Sequence, residues 1–227
     1  AKRCIFAGRE PRMTFMDKTK IAVDLFDRRA REYQEKFVDV RLYGDSFDLF
    51  CDRIDKVRAE VLDIACGPGN ITRYLLDRRP DLNILGVDLA ANMIALARVN
   101  NPEAEFSIMD ARHIASLRRK FDAIMCGFCL PYLSQEEAAA LFRDAAAMLH
   151  EGGLLYLSTM EGDYSLSGLE KGSTGESIFI HYHEADHLLG ALSAAGFQLV
   201  HLDRKVYPGR EDKMTTDLII IAEQRGT

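Results

Sequence analysis

Between residues 60 and 160 the chain repeats one unit: a short run of apolar residues, a break, then a segment with apolar residues at helical spacing. The runs are EVLDIA (60–65), LNILGVD (82–88), AEFSIM (104–109), FDAIMCGF (121–128) and LLYLSTM (154–160). A strand with one face in water alternates apolar and polar residues, whereas strands apolar along their length must be covered on both faces. Cover is supplied by the helical segments ITRYLLDRR (71–79) and AANMIALARVN (90–100) and by a short helical turn reaching about Arg119. A further helix opens at Ser134, with Glu137 three residues on as a capping box, and is expected to end at His150 before Gly152 and Gly153. The pattern predicts a doubly wound α/β domain around a parallel sheet.

Two more strands, FQLVHLDRKV (197–206) and TTDLIIIAE (215–223), are separated by a turn at Pro208 and Gly209 and should pair antiparallel. Before them lie a polar loop (161–176) and a helix from about His183 to Ala195, closed by Gly196. Upstream of the sheet, Phe26, Ala30, Tyr33 and Phe37 form one apolar stripe on a helix expected from about Lys20 to Val40. The expected division is a poorly structured N-terminus or tag (1–16), a helical cap (17–58) and the main α/β domain (59–227). Apolar residues make up 48% of the 227, enough for a real core. No run approaches the ~20 apolar residues of a membrane span and no leader is readable, so a cytoplasmic protein without a membrane partner is expected. Five cysteines, odd in number and sparse, point to reduced thiols rather than a disulfide framework. A net charge of −6 argues against a nucleic-acid partner. The basic pairs at Arg78-Arg79 and Arg118-Arg119 fall at expected helix C-termini, where cations complement exposed carbonyls. The sequence leaves the oligomeric state open.

In open α/β sheets ligands bind outside the carboxyl ends of the strands, so the turn after the first strand carries the argument. It reads VLDIACGPGN, with Gly67 and Gly69 where backbone can approach a ligand, and Asp88 ends the next strand. An acid there suits the two hydroxyls of a ribose. The dinucleotide fingerprint G-x-G-x-x-G would place its third glycine at residue 72, which is Thr72.

The spacing Asp63, Ala65, Gly67, Gly69 resembles the first motif of the class I S-adenosylmethionine-dependent methyltransferases of small-molecule type. The resemblance runs from about Ala22 to Glu223: GVDLA, MDA (109–111), FDAIMCGFCLPYLS and MLHEGGLLYLST are similar to the later motifs in order. It implies a Rossmann-like, seven-stranded, mostly parallel sheet with a C-terminal antiparallel strand. It also implies S-adenosyl-L-methionine as cofactor and a small-molecule methyl acceptor. Carried over, the glycine loop with Ala65 and Cys66 passes under the methionine part and Asp63 helps hold its ammonium. Asp88 accepts the ribose hydroxyls, Asp110 the adenine amino group, and the Ala111 amide meets the ring. Leu89 and Met93 give apolar walls, Tyr33 covers the cofactor, and Cys126 and Phe128 join the binding set from the fourth motif. A base is needed only if the acceptor must lose a proton; the candidates are His181, His183, Tyr132 and Glu161. The alternatives are an NAD(P)-dependent oxidoreductase and a non-catalytic S-adenosylmethionine-binding regulatory protein.

Two further patterns lead elsewhere. Cys126 and Cys129 have C-x-x-C spacing, but the first sits inside an apolar strand and no second pair completes a zinc site. His183-Glu184-x-x-His187 matches a zinc-protease helix as far as Gly190, then has Ser193 at the third ligand. No metal is expected.

Overall fold

In a computed structural model describing residues 15–37, 39–171, 175–208 and 214–225, the five apolar runs become adjacent strands. In chain order the elements are α1 (Phe15–Arg28), α2 (Ala30–Phe37), α3 (Gly44–Asp52), β1 (Glu60–Ile64), α4 (Asn70–Arg78), β2 (Asn83–Asp88), α5 (Ala91–Asn100) and β3 (Glu105–Ile108). Then follow β4 (Phe121–Gly127), α6 (Gln135–Met148), β5 (Leu149–Met160), β6 (Gly168–Lys171), β7 (Ser177–Ile180), α7 (Ala185–Ala194), β8 (Phe197–Pro208) and β9 (Met214–Gln224). Seven strands form one sheet in the order β3-β2-β1-β4-β5-β9-β8, and β9 runs antiparallel to both its neighbours. Strand order reverses between β1 and β4, which opens a crevice at their carboxyl ends.

Side-chain alternation along the strands builds two cores. On one face Leu62 and Ile64 of β1 meet Ile124, Phe142 of α6 and Leu188 of α7. On the other, Val61 meets Leu75 of α4, Met125, Tyr156, and Phe47 and Phe50 of α3. Phe47 and Phe50 are at most 1% exposed, and each contributes roughly 1.5–3 kcal/mol by burial. α3 is therefore part of the layer covering the sheet. α1 and α2 instead pack over α5 and β7, through Ala22 against Ile178 and Ile180 and through Ala30 against Ala90 and Met93.

Several boundaries differ from expectation, each for a local reason. The single helix 20–40 is two: α1 starts at Phe15, and Arg29 interrupts the run although Arg29 N still donates to Leu25 O and Tyr33 N to Arg29 O. Arg28 and Arg29 both turn their guanidinium groups to Glu176 just ahead of β7. The capping box forms as expected, Ser134 Oγ accepting from Glu137 N and Glu137 Oε2 from Ser134 N. That helix ends at Met148, because buried Leu149 already pairs with Phe121, so Gly152 and Gly153 lie within β5. The polar loop 161–176 holds a helical turn (Tyr164–Leu166) and β6, which pairs antiparallel with β7. Strands of four residues are too short to show a period. The expected turn residue Gly209 lies outside the described residues, as does the segment 1–16 apart from Phe15 and Met16, which open α1. Among the described residues no helix is long and apolar enough to cross a membrane.

Candidate functional site

Past the end of β1 the backbone bends sharply. Ala65 (φ 55°), Gly67 (φ 53°) and Gly69 (φ 81°) alternate in the left-handed region, which costs a non-glycine residue such as Ala65 roughly 1–2 kcal/mol. Hydrogen bonds to β2 hold the bend. Cys66 N donates to Val87 O at 3.1 Å and Gly67 N to Asp88 Oδ2 at 3.0 Å. The other Asp88 oxygen accepts from Ala90 N at 2.8 Å, at the start of α5. Burial pushes the Asp88 carboxyl above its usual range, and these amide donors pull it back in part.

One strand further out, Asp110 Oδ1 accepts from Arg112 N (3.0 Å) and Nε (2.8 Å), while Oδ2 takes Arg112 Nη2. Burial would raise this carboxyl, but the Arg112 guanidinium outweighs it and the net shift is downward. Arg112 also reaches Thr19 of α1 and Glu137 of α6, both at 3.3 Å. On the β4 side Phe128 is likewise left-handed (φ 53°), its N–H donating to Ser158 O and Oγ and its ring 5.3 Å from that of Tyr43.

α1 and α2 roof the cleft. A Cβ placed on Gly67 would meet the Tyr33 ring at 3.9 Å, ordinary van der Waals contact, so the bare backbone of the bend faces the roof directly. Burial, helped by the Asp88 charge, pushes the Tyr33 hydroxyl up to about 12, so it is neutral at physiological pH. Phe26 stands edge-on to both Tyr33 (5.6 Å) and Tyr132 (5.2 Å). At the far end the His181 ring lies between Phe179 (4.8 Å) and Tyr164 (5.8 Å, near parallel), with its N–H of the backbone on Pro131 O. Burial and the nearby Lys18 charge push this imidazole down to about 4.

The cleft encloses about 1030 Å³ with its open mouth included, and Tyr33, Ala65, Gly67, Asp88, Leu89, Met93, Asp110, Ala111, Phe128, Tyr132 and His181 all line it. Six other expected site residues lie elsewhere. Asp63 shares the β1 face of Val61, toward α4, and accepts from Thr72 Oγ1 at 2.6 Å. Cys66 packs against Phe106 and α5, and Gly69 starts α4 against Asn101. Cys126 shares the Ile124 face in the core beneath α6. Glu161 is paired to Arg204 at 2.6 Å. His183 is fully buried, its Nε2 at 2.9 Å from Leu130 O and 3.2 Å from Leu133 O, so it donates to the turn 130–133.

The protease-like spacing is also broken, because His183 bridges to Glu161 in extended conformation and Glu184 is the N-cap of α7. His183 and His187 are thus not one helical turn apart. The thiols of Cys126 and Cys129 are free and buried. Sequence reasoning missed Lys18, Thr19, Ala22 and Val23, which line the cleft from α1, together with Arg112 and Phe179. Positions 18, 19, 22, 23 and 26 are one helix face, so continuing the Phe26 stripe upstream would have found the first four.

Residues 61–153 match the family model described as a methyltransferase domain. The seven-stranded order with β9 antiparallel is the class I methyltransferase fold. It is 36% identical over 103 residues to the malonyl-[acyl-carrier protein] O-methyltransferase of Acetivibrio thermocellus, covering 44% of this chain and 36% of that one. The chain spans about half the length, or less, of the curated relatives it matches. Its fold superposes on 1,6-didemethyltoxoflavin-N1-methyltransferase of Burkholderia thailandensis (TM-score 0.69, 18% identity, 96% of this chain and 94% of that one). The same holds for magnesium protoporphyrin IX methyltransferase of Synechocystis (TM-score 0.67, 17% identity, 92% and 97%). In this fold the described cleft lies where strand order reverses.

Proposed function

We propose that the protein transfers a methyl group from S-adenosyl-L-methionine to a small-molecule acceptor. The observation that carries this reading is Asp88, a cleft-lining carboxylate that holds the left-handed loop through Gly67 and the start of α5 through Ala90. Its remaining lone pairs suit two vicinal hydroxyls. The residues fit the cofactor: a side chain on Gly67 would stand in the cleft, Leu89 and Met93 give apolar walls, and the neutral Tyr33 hydroxyl carries no competing charge. Asp110 and the Ala111 amide would meet the adenine edge. Asp63, tied to Thr72, acts in this reading as a positioning residue for the loop rather than as a ligand of the cofactor's ammonium.

When bound, the cofactor supplies an electrophilic methyl whose bond to sulfur breaks, leaving both electrons on sulfur as the acceptor's lone pair bonds to carbon. What remains for the protein is alignment, which can supply up to roughly 7–11 kcal/mol. Tyr132 and His181 are the candidate bases that line the cleft. His181, pushed down to about 4, is neutral at physiological pH and serves as a hydrogen-bonding group and weak base. Phe26, Tyr132 and Phe128 would exclude water from the reacting atoms.

The matched family model and the named relatives support this reading, and those relatives differ in acceptor. The oxidoreductase alternative is disfavoured by Thr72, fully buried with its hydroxyl donated to Asp63 where a third glycine would be required. The buried free thiols at Cys51, Cys66, Cys126 and Cys129 suit the reducing cytoplasm, which cell fractionation would check. Calorimetric titration with S-adenosylhomocysteine, followed by labelled methyl transfer across a metabolite panel, tests the assignment. Binding without transfer across a broad panel would favour the regulatory alternative, and enhanced NADH fluorescence on mixing would favour the oxidoreductase.

A further inference from the structure

The charged groups along the cleft are not all satisfied in the same way. Asp110 is neutralised by Arg112, and Asp88 is bonded by backbone amides. Lys18 lines the cleft from α1 and has no carboxylate partner among the described residues. Its ammonium sits 3.4 Å over the Phe179 ring. The same ring also packs against His181, centroids 4.8 Å apart, which is 8% exposed and whose Nδ1 is buried without a hydrogen-bond partner among the described residues. A half-buried cation and an imidazole with an unpartnered nitrogen among the described residues, both against the Phe179 ring at the same end of a cleft, make an incomplete arrangement that an anion would complete. The walls beside them are aromatic, Phe26 and Tyr132 standing edge to face at 5.2 Å.

Two carboxylates could be the anion, the cofactor's own and one on the acceptor. The cofactor's amino-acid end belongs under Tyr33, at the Gly67 bend. Lys18 lies eight residues before Phe26 on α1, about 12 Å along the axis at 1.5 Å per residue, on the side away from Tyr33. The placement favours the acceptor. We propose that this end of the cleft holds a carboxylate of the acceptor between the Lys18 ammonium and the His181 imidazole, so that the enzyme selects acidic small molecules with a flat apolar body. This inference rests on the methyltransferase reading of the same cleft. A carboxylate gripped this way has its lone pairs engaged, so it is the recognition handle and the methylated atom lies elsewhere on the acceptor.

The test starts with S-adenosylhomocysteine titrated into the wild-type protein; failure to bind removes the methyltransferase reading itself. The loaded protein is then titrated with 2-hydroxybenzoate and cinnamate and with their neutral amides. The acids should bind about tenfold tighter than the amides, the scale of a charge-assisted hydrogen bond. Lys18→Met should erase that preference while leaving S-adenosylhomocysteine affinity unchanged. Lys20→Met, an exposed neighbour on the same helix, should retain the preference. His181→Phe, which keeps a ring between Tyr164 and Phe179, should weaken it. The proposal is overturned if acids and amides bind alike or neither binds at millimolar ligand, or if Lys18→Met keeps the preference. It is equally overturned if Lys18→Met weakens S-adenosylhomocysteine instead, which would make the cofactor's carboxylate the anion.

Discussion

Asp63 should make the protein less stable as pH rises through the range in which most proteins are indifferent. Its carboxyl is 1% exposed and held by one hydroxyl donor, and burial raises it from 3.8 to about 7, with the Thr72 bond opposing and the Asp88 charge adding. A group whose folded value lies above its unfolded value stabilises the fold fully below the unfolded value, and that contribution is lost as pH climbs to the folded one. Here the loss begins near pH 4, is mostly done at pH 7 and is complete about one unit above it. Each pH unit well below the folded value is worth about 1.36 kcal/mol, and with the group half ionised at pH 7 the span from pH 5 to pH 7 removes about 2 kcal/mol. Asp63→Asn keeps the shape and cannot ionise. Urea unfolding of both proteins at pH 5, 7 and 8.5 gives the difference in stability, and any fixed cost of the buried amide cancels between pH values. The variant should gain about 2 kcal/mol on the wild type from pH 5 to pH 7, with only a few tenths more to pH 8.5. A pH-independent difference would refute the reasoning and mean that Asp63 ionises in the folded protein near its ordinary value. The same variant should still bind S-adenosylhomocysteine if Asp63 only positions the loop, whereas a direct ammonium contact would cost it that affinity.

Asp88→Ala removes two half-buried charge-assisted bonds, so S-adenosylhomocysteine affinity should fall at least about tenfold and stability by about 1–3 kcal/mol, read by calorimetry and urea titration. Unchanged affinity would remove Asp88 from the ribose site. Gly69→Ala places a Cβ 2.3 Å from Asn101 Nδ2 at φ 81°, and thermal unfolding should show a loss of about 1–3 kcal/mol. His183→Ala frees the Leu130 and Leu133 carbonyls, so it should lower stability by about 1–3 kcal/mol. A His183 variant with normal stability and abolished turnover would instead mark a catalytic group.

The sheet was readable because its strands are apolar on both faces, a signal fixed by burial and independent of loops. The loop bend, Asp88 and Asp110 were readable because an acid at a strand tip beside alternate glycines has few structural uses. What the linear pattern did not carry was which way a side chain points. Asp63 lies one residue from Leu62 on β1 and therefore faces α4 rather than the cleft, and Cys126 lies one residue from Met125 and faces α6. The acceptor end was harder still. Phe179 and His181 belong to a strand of four residues and the extended stretch after it, and Lys18 lies before the helix start that the apolar stripe suggested.

Three adjacent strands each end in or just before a buried or half-buried acid, and the fold treats the three differently. Asp63 faces away from the cleft and is pushed toward its neutral form chiefly by burial, with the Asp88 charge adding and a hydroxyl as its partner. Asp110 is held ionised by the guanidinium two residues on. Only Asp88 combines cleft exposure with the lack of any cation partner among the described residues, and its backbone donors offset only part of its desolvation. A carboxylate left in that condition gains most from new hydroxyl donors, since each added hydrogen bond stabilises the charged form that burial disfavours. The same logic applies in reverse to Lys18, a cation with an aromatic face but no carboxylate partner among the described residues, so in the proposed reading the two ends of one cleft suit ligand groups of opposite character.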